Sequence, residues 1–271
     1  MNELTIRASS LPDFADCRAR WYAKAIEGKR TPSGPGAIIG KAIHASTALF
    51  DQANLDGSPI HVGDAADKAV DLIHHPEEDV DWELDDKWTP RDAEQTAVTL
   101  HTMYCNTIAP KRNYEVIEAD LGAIRVSVAS TGVDVIITGH TDRVRTHMGM
   151  HGVSDIKTGA RAVSADGSVS VQGHAYQLAA YSLLTRANLD IELKLPSEVI
   201  GLNAGKTAKT QRVGVGQSED IETTLLGTTE QPGLIHDIAW AAKTGSFAGN
   251  PRSMLCGEKY CPAFSTCRFR R

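Results

Sequence analysis

Gly139-His140-Thr141-Asp142-Arg143-Val144 and, shortly after it, Val153-Ser154-Asp155-Ile156-Lys157-Thr158-Gly159 are the two strings on which the reading of this chain turns. The first sets a carboxylate near the end of a predicted strand. In the second, Asp155 and Lys157 stand two apart, so both side chains leave one face of the next strand. Two acids and an amine converging at a sheet edge can hold a divalent cation and a water beside a phosphodiester. Hard cations take oxygen ligands, which Asp142 and Asp155 offer as carboxylates and Ile156 as a backbone carbonyl. Lys157 can orient the attacking water, help deprotonate it, or steady charge on the phosphate. A surface ion pair on a hairpin would give the same tripeptide. Its place after a hydrophobic strand, 13 residues past Asp142, favours the chemical reading.

Working outward, the apolar period from Tyr114 is close to two and predicts four strands, at 114–120, 122–129, 133–145 and 150–157. Breaks at Gly122, Thr131-Gly132 and Gly149 suit hairpin turns. Upstream, a Ser9 or Ser10 cap before Leu11, Phe14 and Ala15 predicts a short helix within 8–27. The Gly/Pro-rich run Thr31 to Gly36 interrupts the chain, and 37–54, 64–75 and 90–109 predict further helices. Downstream, 170–187 predicts a helix, 197–204 and 208–215 two strands, and 218–244 mainly helix; the Gly/Pro/Cys-rich tail from Phe247 is irregular. With these elements we predict an α/β domain.

At 271 residues and 41% hydrophobic, the chain suits one large domain with a substantial core. No apolar run approaches the roughly 20 residues of a membrane span. Met1 to Arg7 lacks a signal-peptide hydrophobic region, so a cytoplasmic protein is expected. The net charge of -6 is unevenly spread. Residues 51–94 hold fourteen acids against three bases, residues 1–50 four against seven, and residues 243–271 one against six. Local sign governs phosphate binding more than the sum does. The acidic stretch reads as a solvated face, a DNA-excluding wall or a partner surface.

Three further constellations stand out. Gln177 and Tyr181 are at i and i+4 of one predicted helix and share a face. His44, one turn past Gly40 on an apolar helix, is either a neutral metal ligand or a satisfied core histidine. Cys256, Cys261 and Cys267 crowd the tail, and Cys17 could complete a four-thiolate site from the other end, for iron–sulfur or zinc. Cys105, in the run Met103-Tyr104-Cys105, reads as a core residue.

In this order the pieces resemble the RecB-type branch of the PD-(D/E)XK nuclease superfamily, over most of the chain. Ser10-Leu11 through Cys17-Arg18 is similar to the family's opening segment. Gly40 to His44 matches its Gly-x-x-x-His helix, and Gly139-x-x-Asp142-Arg143 its Gly-x-x-Asp-Arg strand. Asp155-Ile156-Lys157 matches its (D/E)-x-K strand, and Gln177-x-x-x-Tyr181 its Gln-x-x-x-Tyr helix. The tail cysteines resemble those of members with a four-iron, four-sulfur cluster, as in CRISPR-adaptation and AddB-type nucleases. The closing spacing here is x4 then x5, where many relatives have x2 then x5.

The resemblance implies one nuclease domain over 1–271 with a restriction-endonuclease-like core, a central mixed sheet flanked by helices. Within it, 51–113 would be a helical, acidic insertion, 114–187 the catalytic core, and 246–271 with Cys17 a metal-cluster lobe built from both termini. It implies Mg2+ or Mn2+ held by His44, Asp142, Asp155 and the Ile156 carbonyl. Lys157 would be the catalytic lysine, with Gln177 and Tyr181 beside it contacting DNA and Glu118 a supporting acid. A structural four-iron, four-sulfur cluster, or zinc, would be bound by Cys17, Cys256, Cys261 and Cys267. The implied activity is DNA phosphodiester hydrolysis, as an exonuclease on ends or single strands, in recombination, repair or phage DNA processing, with a phage-encoded origin in keeping. Arg18, Arg20, Lys24 and Arg268 to Arg271 would grip the strand. No Walker A string is present, so the chain would act alone or beside a helicase or recombination protein. The rival reading is a non-catalytic DNA-binding or docking module that keeps this fold.

Overall fold

The computed structural model describes residues 2–85, 88–219 and 221–270. Six strands form one mixed sheet: β1 (Glu3–Arg7), β2 (Asn113–Val128), β3 (Val133–His147), β4 (Met150–Gly159), β5 (Ser197–Asn203) and β6 (Arg212–Ser218). The helices are α1 (Leu11–Asp16), α2 (Arg18–Ala25), α3 (Pro35–Leu55), α4 (Val62–His74), α5 (Pro90–Thr107), α6 (Ala175–Leu189), α7 (Glu222–Leu226) and α8 (Leu234–Thr244). They cover both faces. Against one face, α1, α2, α6, α7 and α8 bury Phe14, Trp21, Leu178, Leu184 and Ile238 with Ile6, Val135 and Ile137 of the strands. Against the other, α3, α4 and α5 bury Ile39, Ile43, Ile73 and Leu100 with Ile156, Ile200 and Leu202. The expected α/β class, a mixed sheet between helices, is what the chain forms.

β3 is the hub of the sheet. One edge pairs antiparallel with β2 from Asn113↔Thr146 to Val128↔Val133. The other edge is shared. Its first part pairs parallel with β1, ending at Arg7↔Thr138, and its last part antiparallel with β4, ending at Arg143↔Ser154. From Ser154 onward β4 turns away and runs parallel with β5, to Gly159↔Asn203, and β5 pairs antiparallel with β6. The ladder therefore forks where β3 and β4 part, leaving Gly139 to Asp142 without a strand on that edge. Asp142 Oδ2 bridges the fork by accepting the Ile156 N–H at 2.7 Å, a side chain standing in for the missing backbone acceptor.

Several local expectations change. β1 was not foreseen; Leu4 and Ile6 are buried and alternate with exposed neighbours, but five residues are a short signal. Gly122 is not a hairpin turn. Residues 113–128 form one strand, and at Gly122 (φ 63°) the register slips between Asp120 and Ala123, with Asp120 Oδ1 accepting the Gly122 N–H. That is a bulge, which bends a strand without ending it. The helix expected in 8–27 breaks at Cys17, which is extended (φ -152°, ψ 101°). β6 starts at Arg212 because 204–211 is held as a loop by Thr207–Thr210 hydrogen bonds. α5 begins where the sequence expects a helix, at residue 90, in a capping box: Thr89 and Asp92 bond reciprocally across Pro90.

Candidate active site

The fork collects groups from three elements. α3 brings His44 close because Gly40, one turn earlier, has no side chain; a Cβ there would stand 2.8 Å from Thr158 Oγ1 on β4. His44 Nδ1 lies 3.6 Å from Asp142 Oδ2. From β2, Glu118 lies opposite Asp142, since Ile117 pairs with Arg143 and Ala119 with Thr141. Glu118 has φ 47°, a left-handed conformation that a non-glycine residue adopts only when its surroundings enforce it. His44, Glu118 and Asp142 each present a ligand atom within 4.8 Å of the others. An imidazole and two carboxylates are a fitting donor set for a divalent ion such as Mg2+ or Mn2+.

Asp155 and Lys157 stand beside this trio on β4. Asp155 is fully buried, with Lys157 Nζ 2.7 Å from its Oδ2. Burial pushes the Asp155 carboxyl up to about 7, against the pull of Lys157 and helped by the negative charge of Asp142. Gln177 Nε2 donates to Asp155 Oδ1 at 3.3 Å and to Tyr181 Oη at 2.8 Å. Both α6 side chains are buried and turn inward to Asp155. Burial, reinforced by the Asp155 charge, raises the Tyr181 phenol, so it stays protonated at neutral pH. α6 can lie this close because residue 139 is glycine; a Cβ there would stand 2.8 Å from Leu184. His174, just before α6, was not singled out by sequence; burial and the charge of Lys157 lower it to about 4, so it is neutral.

The cleft over the site has a volume of about 710 Å³. His44, Glu118, Ile156 and Lys157 line it, and Glu77 and Glu78 of the acidic segment form part of its wall. Lys41 at the rim is paired with Glu78 at 3.3 Å. The resemblance implies His44, Asp142, Asp155 and the Ile156 carbonyl as ligands and Glu118 as a supporting acid; the structure brings Glu118 into one group with His44 and Asp142. A plain hairpin count across 129–132 sets residue 118 against 143; the extra residue at the Gly122 bulge shifts it to 142, and reading Gly122 as a turn hides that pairing.

Away from the fork, Cys17, Cys256, Cys261 and Cys267 line one small cavity, all as free thiols. The Asn250 N–H points at Cys17 Sγ at 3.3 Å. Burial pushes the Cys261 thiol up, and Cys17 and Cys267 add to that. Cys105 is a core residue, 3.4 Å from His101 Nε2. Arg20 is not a surface residue able to grip DNA. Its side chain is 1% exposed and donates to Asp13, Asp16 and Ser253. Arg18 is paired with Asp237 and Lys24 with Asp13. Arg271 lies outside the described residues.

The sequence profile of the PD-(D/E)XK nuclease superfamily matches residues 5–268. No curated protein sequence matches the chain. Among solved structures, one described as "Crystal structure of SSO0001" aligns over 98% of this chain and 87% of its own, at a TM-score of 0.45 and 15% identity. A likeness of that degree bears no weight for function. Among the described residues, no helix is long and apolar enough to cross a membrane.

Proposed function

The chain belongs to the PD-(D/E)XK nuclease superfamily, and from that premise we propose that it is a RecB-type, Mg2+- or Mn2+-dependent deoxyribonuclease. It would act as an exonuclease on DNA ends or single strands, in recombination, repair or phage DNA processing. The observation that carries this reading is the convergence of His44, Glu118 and Asp142 beside the Asp155–Lys157 pair, at the floor of a cleft that His44, Glu118 and Lys157 line.

His44, Glu118 and Asp142 would hold the ion, with Asp155 and the Ile156 carbonyl beside them. Bound there, it would polarise the phosphate and lower the pKa of a water. The chain's own groups do the rest. Lys157, its side chain a quarter exposed on the cleft wall, has its ammonium held by both oxygens of Asp155. It would orient the nucleophile and offset charge growing on the phosphate. Gln177 and Tyr181 hold Asp155 in turn. His174, neutral beside Lys157, adds no competing positive charge.

A structural four-iron, four-sulfur cluster, with zinc as the alternative, would be held by Cys17, Cys256, Cys261 and Cys267. What supports this is four unbridged thiols from both ends of the chain around one cavity, with a backbone N–H aimed at one sulfur. Anaerobically purified protein should then be brown and carry iron. Colourless protein with stoichiometric zinc would replace the cluster without touching the nuclease reading.

The deciding experiment is cleavage of end-labelled single- and double-stranded DNA, linear and circular, with Mg2+ or Mn2+ and with EDTA. Metal-dependent loss of linear but not circular substrate is expected. The double variant Asp155→Ala/Lys157→Ala should bind DNA and not cut it; undiminished cutting would sink the site assignment.

A further inference from the structure

His44 and Asp51 lie seven residues apart on α3, two turns along one face. His44 reaches the ligand trio, and Asp51 reaches a polar knot buried behind it. Asp51 Oδ2 accepts from Arg143 Nε at 2.9 Å and from the Tyr104 hydroxyl of α5 at 2.6 Å. The hydroxyls of Tyr104 and of Tyr114 on β2 are 2.9 Å apart. Arg143 Nη1 donates to Glu118 Oε1 at 2.9 Å and to the Asp142 carbonyl at 2.6 Å. The Arg143 side chain is wholly buried and that of Asp51 is 2% exposed.

One guanidinium thus touches the helix that carries His44, the carboxylate of Glu118 and the backbone of Asp142. We propose that Arg143, clamped by Asp51 and Tyr104, is a positioning residue that sets the spacing of the His44–Glu118–Asp142 trio and with it the affinity for the divalent ion. The inference rests on the metal reading above. Three features argue for it. Glu118 sits in a strained backbone conformation opposite a second carboxylate; Arg143 is its buried partner, and without that contact strain and repulsion would be opposed only by the exposed His140, 3.2 Å from its other oxygen. The planar fork of arginine reaches Asp51 and Glu118 at once in a fixed geometry that a lysine ammonium cannot copy. And α3 is tied to the strands at Asp51 by charge-assisted bonds, so the height of His44 over the fork is set two turns away.

Mn2+ uptake by the purified chain, read as loss of the free-ion EPR signal on titration, tests this without DNA or turnover. Arg143→Lys and Asp51→Asn should each weaken Mn2+ binding roughly 10- to 100-fold, the usual effect of losing a group that orients a ligand. Tyr104→Phe, which removes one hydroxyl from the knot, should weaken it roughly fivefold, one hydrogen bond's worth. Leu100→Ala, in the same helical core but outside the knot, should destabilise the protein and leave the affinity alone. Folded knot variants that bind Mn2+ as wild type does would overturn the proposal, as would equal weakening in Leu100→Ala. If Arg143→Lys and Asp51→Asn do not fold, an unchanged Tyr104→Phe overturns it by itself. Wild-type protein that takes up no Mn2+ would sink the metal site itself, and the positioning role with it, before any variant is compared.

Discussion

Lys157 and Asp155 hold each other in a way that makes neither replaceable alone. Asp155 is fully buried, and its pKa is already pushed up to about 7 with the lysine present. In Lys157→Met the carboxyl would keep its proton, so the fold should survive while the chemistry does not. We expect single-turnover cleavage to fall roughly 10²- to 10⁴-fold with an unchanged circular dichroism spectrum. Arg20 makes the opposite case. Its guanidinium is enclosed by Asp13, Asp16 and Ser253, and Arg20→Met should lower stability by about 3 kcal/mol, the low end for a broken buried pair, because water screens the partly exposed Asp16. Denaturant unfolding measures this, and the salt dependence of DNA binding should not move. These two residues also show what a sequence discloses. A period of two puts Asp155 and Lys157 on one face whatever surrounds them. Arginines are seldom buried, and what buries Arg20 includes a serine 233 residues away, which no local pattern contains.

Among the elements, α3 and β4 were legible and their contact was not. Gly40, His44 and the Asp-x-Lys strand lie in local strings; that a Cβ at position 40 would stand 2.8 Å from Thr158 Oγ1 is a property of the assembled sheet. It makes a prediction. Gly40→Ala should lift α3 off β4, displace His44 and slow cleavage roughly tenfold or more, since small misplacements at a reacting centre are costly. Thr158→Ala, by removing the clashing oxygen, should restore most of the rate in the double variant. β1 is not legible because its pairing with β3 joins residues more than a hundred apart, and the place of Glu118 opposite Asp142 is not because a bulge at Gly122 mimics a turn. In α5, His101 is buried against the Val62 carbonyl, and burial lowers its pKa below the ordinary 6.5. The unfolded chain therefore binds a proton that the folded chain refuses, and stability falls as pH drops below 6.5 towards the lowered folded value. Urea midpoints at neutral and mildly acidic pH should differ less in His101→Gln than in wild type.

For the molecule as a whole, the two ends of the chain meet on one side of the sheet. Phe247 stacks against Trp21 and Tyr22, Ser253 bonds to Asp16, and Cys17 shares a cavity with the three tail cysteines. On the cluster proposed above, Cys17→Ser should lower both bound iron per chain and the melting temperature; full iron content and unchanged melting would move the fourth ligand elsewhere. The closing of the ends also fixes an order in time. Asn250, whose amide reaches Cys17, is made 233 residues after it, a wait of roughly 10 to 50 seconds at ordinary rates of synthesis. Until then Trp21 lacks Phe247, the ring that stacks on it, and Cys17 lacks the three tail cysteines of its cavity. The amino-terminal segment thus waits for its cover through most of this span of synthesis, and a metal held by the four thiols, as proposed, could be bound there only after Cys267 has been made.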